Sequence, residues 1–84
     1  MKEPTERQMQ IMEFISGFFK RNLCVPTYRE IGSEFRIPWT NAILDHLRAL
    51  EKKGWIQLEP NKGRCIRFTD KAREHFRLNF EDEQ

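Results

Sequence analysis

Pro38 is the residue that most constrains this chain. Its ring is disfavoured inside a helix, and it pushes Ile37 toward extended backbone. Before it, Thr27-Tyr28-Arg29-Glu30 is a capping box, in which the threonine side chain accepts from the glutamate N–H and the glutamate side chain reaches back to the threonine N–H. A helix therefore starts after Thr27, carries Ile31 and Phe35 inward, and stops where Arg36-Ile37-Pro38-Trp39 turns the chain. After the proline a second helical pattern begins near Trp39 to Asn41 and ends at Gly54, a suitable cap, with Lys52 and Lys53 where cations suit a helix C-terminus. Two helices joined by so short a turn make a helix-turn-helix.

The helix after the turn has two chemically distinct sides. At about 100° per residue, Ile43, Leu47 and Leu50 share one side, and Asn41, Leu44, Asp45, Arg48 and Lys52 share the other. An earlier helix opens on the capping box Thr5-Glu6-Arg7-Gln8, just after Pro4. It carries a wide apolar stripe, Ile11, Met12, Phe14, Ile15, Phe18 and Phe19, interrupted by Gly17.

Downstream, Trp55-Ile56-Gln57-Leu58 and Cys65-Ile66-Arg67-Phe68 alternate as strands, with Ile56, Leu58, Ile66 and Phe68 turned to the core. The connection Glu59-Pro60-Asn61-Lys62-Gly63-Arg64 is turn-rich and positive at its tip. Thr69-Asp70 then caps a last helix with Ala72, Phe76 and Phe80 inward. The expected fold is mostly α with a small β-hairpin wing: a winged helix-turn-helix of three core helices, a two-stranded wing and a C-terminal helix.

The 84 residues are one domain's worth of chain, with residues 79–84 read as a frayed acidic tail. The formal charge of +2 is modest, so a nucleic-acid reading rests on where the cations lie rather than on their number. Cys24 and Cys65 are far apart and in no metal-binding pair, which leaves two reduced thiols. No apolar run is long enough to span a bilayer, and MKEPTERQ has no apolar signal-peptide core, so the expected location is cytoplasmic.

Four pieces in register resemble the N-terminal DNA-binding domain of LexA-type repressors over residues 5–68. They are Thr5-x-Arg7-Gln8, then Pro26-Thr27-x-x-Glu30-Ile31, then Asn41-Ala42 followed by His46-Leu47-x-Ala49-Leu50-x-x-Lys53-Gly54-x-Ile56, and last Arg64-x-Ile66-Arg67. Phe68-Thr69-Asp70-Lys71-Ala72-Arg73 is similar to the end of the wing in other bacterial winged-helix regulators. The resemblance implies a transcriptional regulator that acts as a repressor. Complete LexA repressors also carry a peptidase-like domain with a cleavable Ala-Gly bond and a Ser-Lys dyad; these residues hold no such segment, and self-cleavage is not expected of this chain. Trp39 stands where the family usually has a small residue, and Leu44-Asp45 occupies a base-reading position, so the family's operator does not carry over.

In a helix-turn-helix the start of the third helix enters the major groove, so the expected base readers are Asn41, Ala42, Leu44 and Asp45, with Trp39 and Arg48 beside them. Asn41 can bond adenine N6 and N7, Asp45 can accept from cytosine N4, and Ala42 or Leu44 can meet a thymine methyl. The competing reading is a solvated helix face with Asn41 as cap, on which an exposed Leu44 has no use. Trp39 either stacks on sugar and base edges or covers the turn and the end of the second helix; packing is the favoured expectation.

Expected contacts to the DNA backbone are Arg7, Thr27, Tyr28 and Arg29 around the start of the second helix, Lys53 at the far end of the third, and Lys62 and Arg64 on the wing. Routine solubilising charge is the alternative for these cations.

No nucleophile-base pair, phosphate loop or carboxylate cluster stands out, so the chain is not expected to be an enzyme or to use a cofactor or small-molecule ligand. His46 reads as a structural histidine rather than a metal ligand, and His75 has no second ligand at helical spacing. The first helix is more aromatic than one buried face needs. Phe14 and Phe18, with Phe76 and Phe80 of the last helix, are expected either to bury one another or to form a homodimer contact. The expected partner is double-stranded DNA, with no membrane; a winged-helix adaptor presenting Trp39, Leu44 and the aromatic stripe to a protein is the alternative.

Overall fold

The structure, a computed structural model, describes residues 3–59 and 66–78. The chain forms α1 (Glu6–Asn22), α2 (Tyr28–Phe35), α3 (Thr40–Lys52), β1 (Ile56–Leu58), β2 (Ile66–Phe68) and α4 (Asp70–Phe76). β1 and β2 pair antiparallel, Ile56 opposite Phe68 and Leu58 opposite Ile66. This is the expected winged helix-turn-helix. The tip of the hairpin, Cys65, and the expected tail at 79–84 with Phe80 lie outside the described residues.

Both capping boxes form. Thr5 Oγ1 accepts from the Gln8 N–H at 3.2 Å while Gln8 Oε1 accepts from the Thr5 N–H at 3.0 Å. Thr27 and Glu30 repeat the exchange at 3.1 and 2.8 Å. Each box satisfies two N–H groups that would otherwise lack partners at a helix start, which is why both helices begin where they do.

The core is built from Ile11, Met12 and Ile15 of α1, Ile31 of α2, and Ile43, Leu47 and Leu50 of α3, closed below by Trp55, Ile56, Ile66 and Ala72. The helical stripes and strand alternation read from the sequence thus point inward. Trp55 is buried but precedes β1 rather than belonging to it.

The aromatic residues pair in part as expected, Phe14 with Phe18, and in part with other partners. Phe14 packs on Phe18 and, edge-on, on Phe35 of α2, with ring centroids 5.9 and 5.8 Å apart. Phe76 packs on Trp55 and His75 at 6.1 and 4.7 Å instead of on α1. The reason is the short last helix: Arg77 takes a left-handed conformation (φ 61°) straight after Phe76, which ends α4 and turns Leu78 into the core. Phe19 meets Phe68 of β2 at 5.6 Å and so covers the hairpin base.

Thr69 fixes the hairpin to α4. Its hydroxyl donates to the Gly54 and Trp55 carbonyls at 2.7 and 3.0 Å and accepts from the Ala72 N–H at 3.3 Å, capping α4. Gly54 sits at φ 88°, a conformation that L side chains rarely adopt, and this lets the chain leave α3 directly into Trp55 and β1. No helix among the described residues is long and apolar enough to cross a membrane.

Candidate nucleic-acid interface

The turn between α2 and α3 is closed entirely by backbone. Arg36 takes the left-handed conformation (φ 57°), the Ile37 N–H donates to the Gly32 carbonyl at 2.8 Å, and the Arg36 N–H points to the Ser33 carbonyl at 3.4 Å. These are the two bonds of a Schellman motif, which satisfies the carbonyls left over at a helix end. Gly32 is required by the same closure: a Cβ there would stand 2.6 Å from the Ile37 carbonyl oxygen. Sequence reading passed over Gly32, although a glycine inside a short helix just before a turn is the available signal.

Trp39 is the N-cap residue of α3, in extended backbone and without a side-chain cap bond. It is 69% exposed, which overturns the expectation that it covers the turn. Half-buried Ile37, rather than the indole, packs against the core at the turn. The alternative role of Asn41 as helix cap is also set aside, because α3 starts at Thr40 with Asn41 already inside it.

Ile43, Leu47 and Leu50 bury the inner side of α3. Asn41, Asp45 and Arg48 are exposed on the other side, with Leu44 half-buried among them and Ala42 half-buried at the edge. The side chains of Asn41, Asp45 and Arg48 make no hydrogen bond or ion pair with another described residue. An exposed row of one amide, one carboxylate, one guanidinium and an apolar side chain offers donor, acceptor and methyl-packing chemistry along a single helix edge, ahead of which stands an exposed indole.

The expected backbone-contact residues fare unevenly. Thr27 is engaged in its capping box, Tyr28 is half-buried against the core, and Arg29 is exposed beside them. Arg7 is exposed, with its guanidinium 5.4 Å from the Phe35 ring centroid. Lys53 points elsewhere than expected: Nζ donates to Gln8 Oε1 at 2.7 Å, so its charge is turned toward the start of α1. Lys62 and Arg64 lie outside the described residues. On the hairpin base Arg67 pairs with Glu59 at 2.8 Å. Among the described residues no group of three or more His, Cys, Asp or Glu could hold a metal ion.

Comparison with known proteins agrees with this geometry. Residues 1–65 match the model of the LexA DNA binding domain family. The chain is 44% identical over 73 residues to the LexA repressor of Thermotoga maritima, covering 87% of this chain and 36% of that protein. It is 43% identical over 70 residues to the LexA repressor of Anaeromyxobacter sp. (strain Fw109-5), covering 83% and 30%. To LexA repressor 1 of Geobacter sulfurreducens it is 42% identical over 66 residues, covering 79% and 33%. The chain thus spans about a third of the length of the curated relatives it matches.

Proposed function

The chain belongs to the LexA DNA-binding domain family, and on that premise we propose that it is a sequence-specific, double-stranded DNA-binding transcriptional repressor without catalytic activity. Residues 1–84 act as one unit in the cytoplasm. The observation that carries the reading is the exposed side of α3: the side chains of Asn41, Asp45 and Arg48 have no hydrogen-bond or ion-pair partner among the described residues, on a helix anchored by Ile43, Leu47 and Leu50. Side chains so placed fit the major groove.

The roles follow from side-chain chemistry. Asn41 bonds adenine N6 and N7, Asp45 accepts from cytosine N4, and Arg48 donates to guanine or to a phosphate. Leu44, Ala42 and the exposed Trp39 meet thymine methyls or sugar edges. Arg7, Thr27, Tyr28 and Arg29 touch the DNA backbone at the start of α2, and Lys62 and Arg64 do so from the wing. Lys53 is the weakest member of that set, since its ammonium already has Gln8 as partner. The protein-adaptor alternative is not favoured, because the family and the polar row on α3 both point to nucleic acid. Two copies on a palindromic site meet through the half-exposed edges of Phe14, Phe18 and Phe76.

The test is fluorescence anisotropy with a random-sequence duplex at rising salt, followed by selection of a preferred site. Binding that weakens steeply with salt and then enriches a palindrome is the expected outcome. Replacing Lys62 and Arg64 together by alanine should weaken binding to every sequence and flatten the salt dependence. No binding at about 50 mM salt would overturn the DNA reading. Sedimentation showing only monomer at high micromolar protein, with and without DNA, would remove the dimer.

A further inference from the structure

The groove between α2 and the start of α3 holds groups that the assignments above leave unused. Ser33 and Arg36 line it from α2 and the turn, Thr40 lines it from α3, and Arg29 also borders it. Among the described residues no Asp or Glu lines it. Arg29, Ser33, Arg36 and Thr40 are all exposed, and neither guanidinium makes a hydrogen bond or ion pair with another described residue. Gly32, also in the lining, keeps the groove free of a side chain at that point. Two unpaired guanidinium forks and two hydroxyls with no carboxylate among them suit a phosphate, whose oxygens accept bidentate donation.

The backbone of Arg36 fixes where its side chain leaves the turn. The Schellman closure demands a left-handed residue at this position (φ 57°), where glycine sits freely and a residue with a Cβ does not. Leu23 and Arg77 end their helices in the same conformation (φ 62° and 61°), so Arg36 is one of three non-glycine caps of this kind among the described residues, and its guanidinium makes no hydrogen bond or ion pair with any of them.

We infer that this groove is a phosphodiester seat for the DNA strand that flanks the base pairs read by Asn41, with Arg29 and Arg36 as its two cationic arms and the Ser33 and Thr40 hydroxyls as added donors. The inference rests on the DNA reading above and adds Arg36, Ser33 and Thr40 to the interface. Thr40 immediately precedes Asn41, so a strand whose bases reach Asn41 passes its backbone along the groove. The phosphate contact carries no base preference; it sets the depth and register of α3.

Two variants test it on the full chain. Arg36→Gly removes the side chain while giving the left-handed position its favoured residue, so the thermal midpoint should stay level or rise. Arg29→Ala removes the other arm from the exposed side of α2 without touching the turn. Each should weaken binding to preferred and random duplex alike, by roughly tenfold at about 100 mM salt, and reduce the slope of log affinity against log salt by about 1. Should Arg36→Gly lower the midpoint, Arg29→Ala alone decides. If both keep wild-type affinity and slope while Asn41→Ala still loses its preferred site, the seat is wrong and the DNA reading stands. A wild-type chain that binds no duplex takes both down.

Discussion

Around the hairpin base and α4, several polar side chains bond one another, although the buried Trp55 Nε1 has no hydrogen-bond partner among the described residues, whereas along the outer sides of α2 and α3 a run of polar side chains is left open. The Thr69 hydroxyl makes three hydrogen bonds at once, Glu51 accepts from the Leu58 N–H at 3.1 Å, Arg67 pairs with Glu59, and Lys71 lies 4.7 Å from the Trp55 ring centroid. On the other side Arg29, Arg36, Asn41, Asp45 and Arg48 make no such contact with described residues. The two regions draw on the same residue types and differ in whether donors and acceptors meet inside the molecule. Saturated groups hold the frame; open ones are available to a partner. A polar residue's role here follows from its bonding state more than from its chemistry or its charge.

The contrast can be broken from either side, and the largest effect belongs to the buried face of α3. Leu47→Ala should lose about 3 kcal/mol of stability by chemical denaturation, because it empties a fully buried site. Gly32→Ala drives a Cβ into the Ile37 carbonyl and should cost about 2 kcal/mol, with DNA binding falling as α3 shifts. Asn41→Ala should lose roughly 1 to 3 kcal/mol on a preferred site and little on random duplex, at unchanged thermal midpoint; equal losses on both would remove it as a reader. Thr69→Ala should cost about 1 kcal/mol of stability and leave DNA affinity alone, and a loss of affinity with stability intact would blur the distinction between the two regions. The smallest effect is expected of Arg48→Ala, within about 0.5 kcal/mol in stability, since an exposed side chain without partners has little to lose on folding.

What was legible in the sequence was local. Capping boxes at Thr5 and Thr27, the break at Pro38, and the sorting of Ile43, Leu47 and Leu50 from Asn41, Asp45 and Arg48 all depend on residues within a turn or two of one another. Burial that depends on distant partners was not. Phe14 chose Phe35 because α2 lies across α1, and Lys53 was drawn to Gln8 by the way the end of α3 meets the start of α1. Trp39 was misjudged because an indole beside a turn is ordinarily covered. Here Ile37 packs against the core in that place, and the indole at the start of α3 is left 69% exposed. Neither the left-handed backbone of Arg36 nor the burial of Leu78 has a local signature, since each is imposed by a helix end whose position tertiary packing decides.

Gln8 carries a consequence of its own. A single amide oxygen accepts from the Thr5 N–H and from the Lys53 ammonium, so the first turn of α1 and the far end of α3 share one acceptor. At its other end α3 is tethered through the backbone closure at Gly32. A rod fastened at both ends cannot tilt or slide to make the best of a poorly matched surface. When such a rod meets a wrong sequence, contacts are lost instead of rearranged, and the preference for a right one is sharpened by stiffness rather than by added attraction.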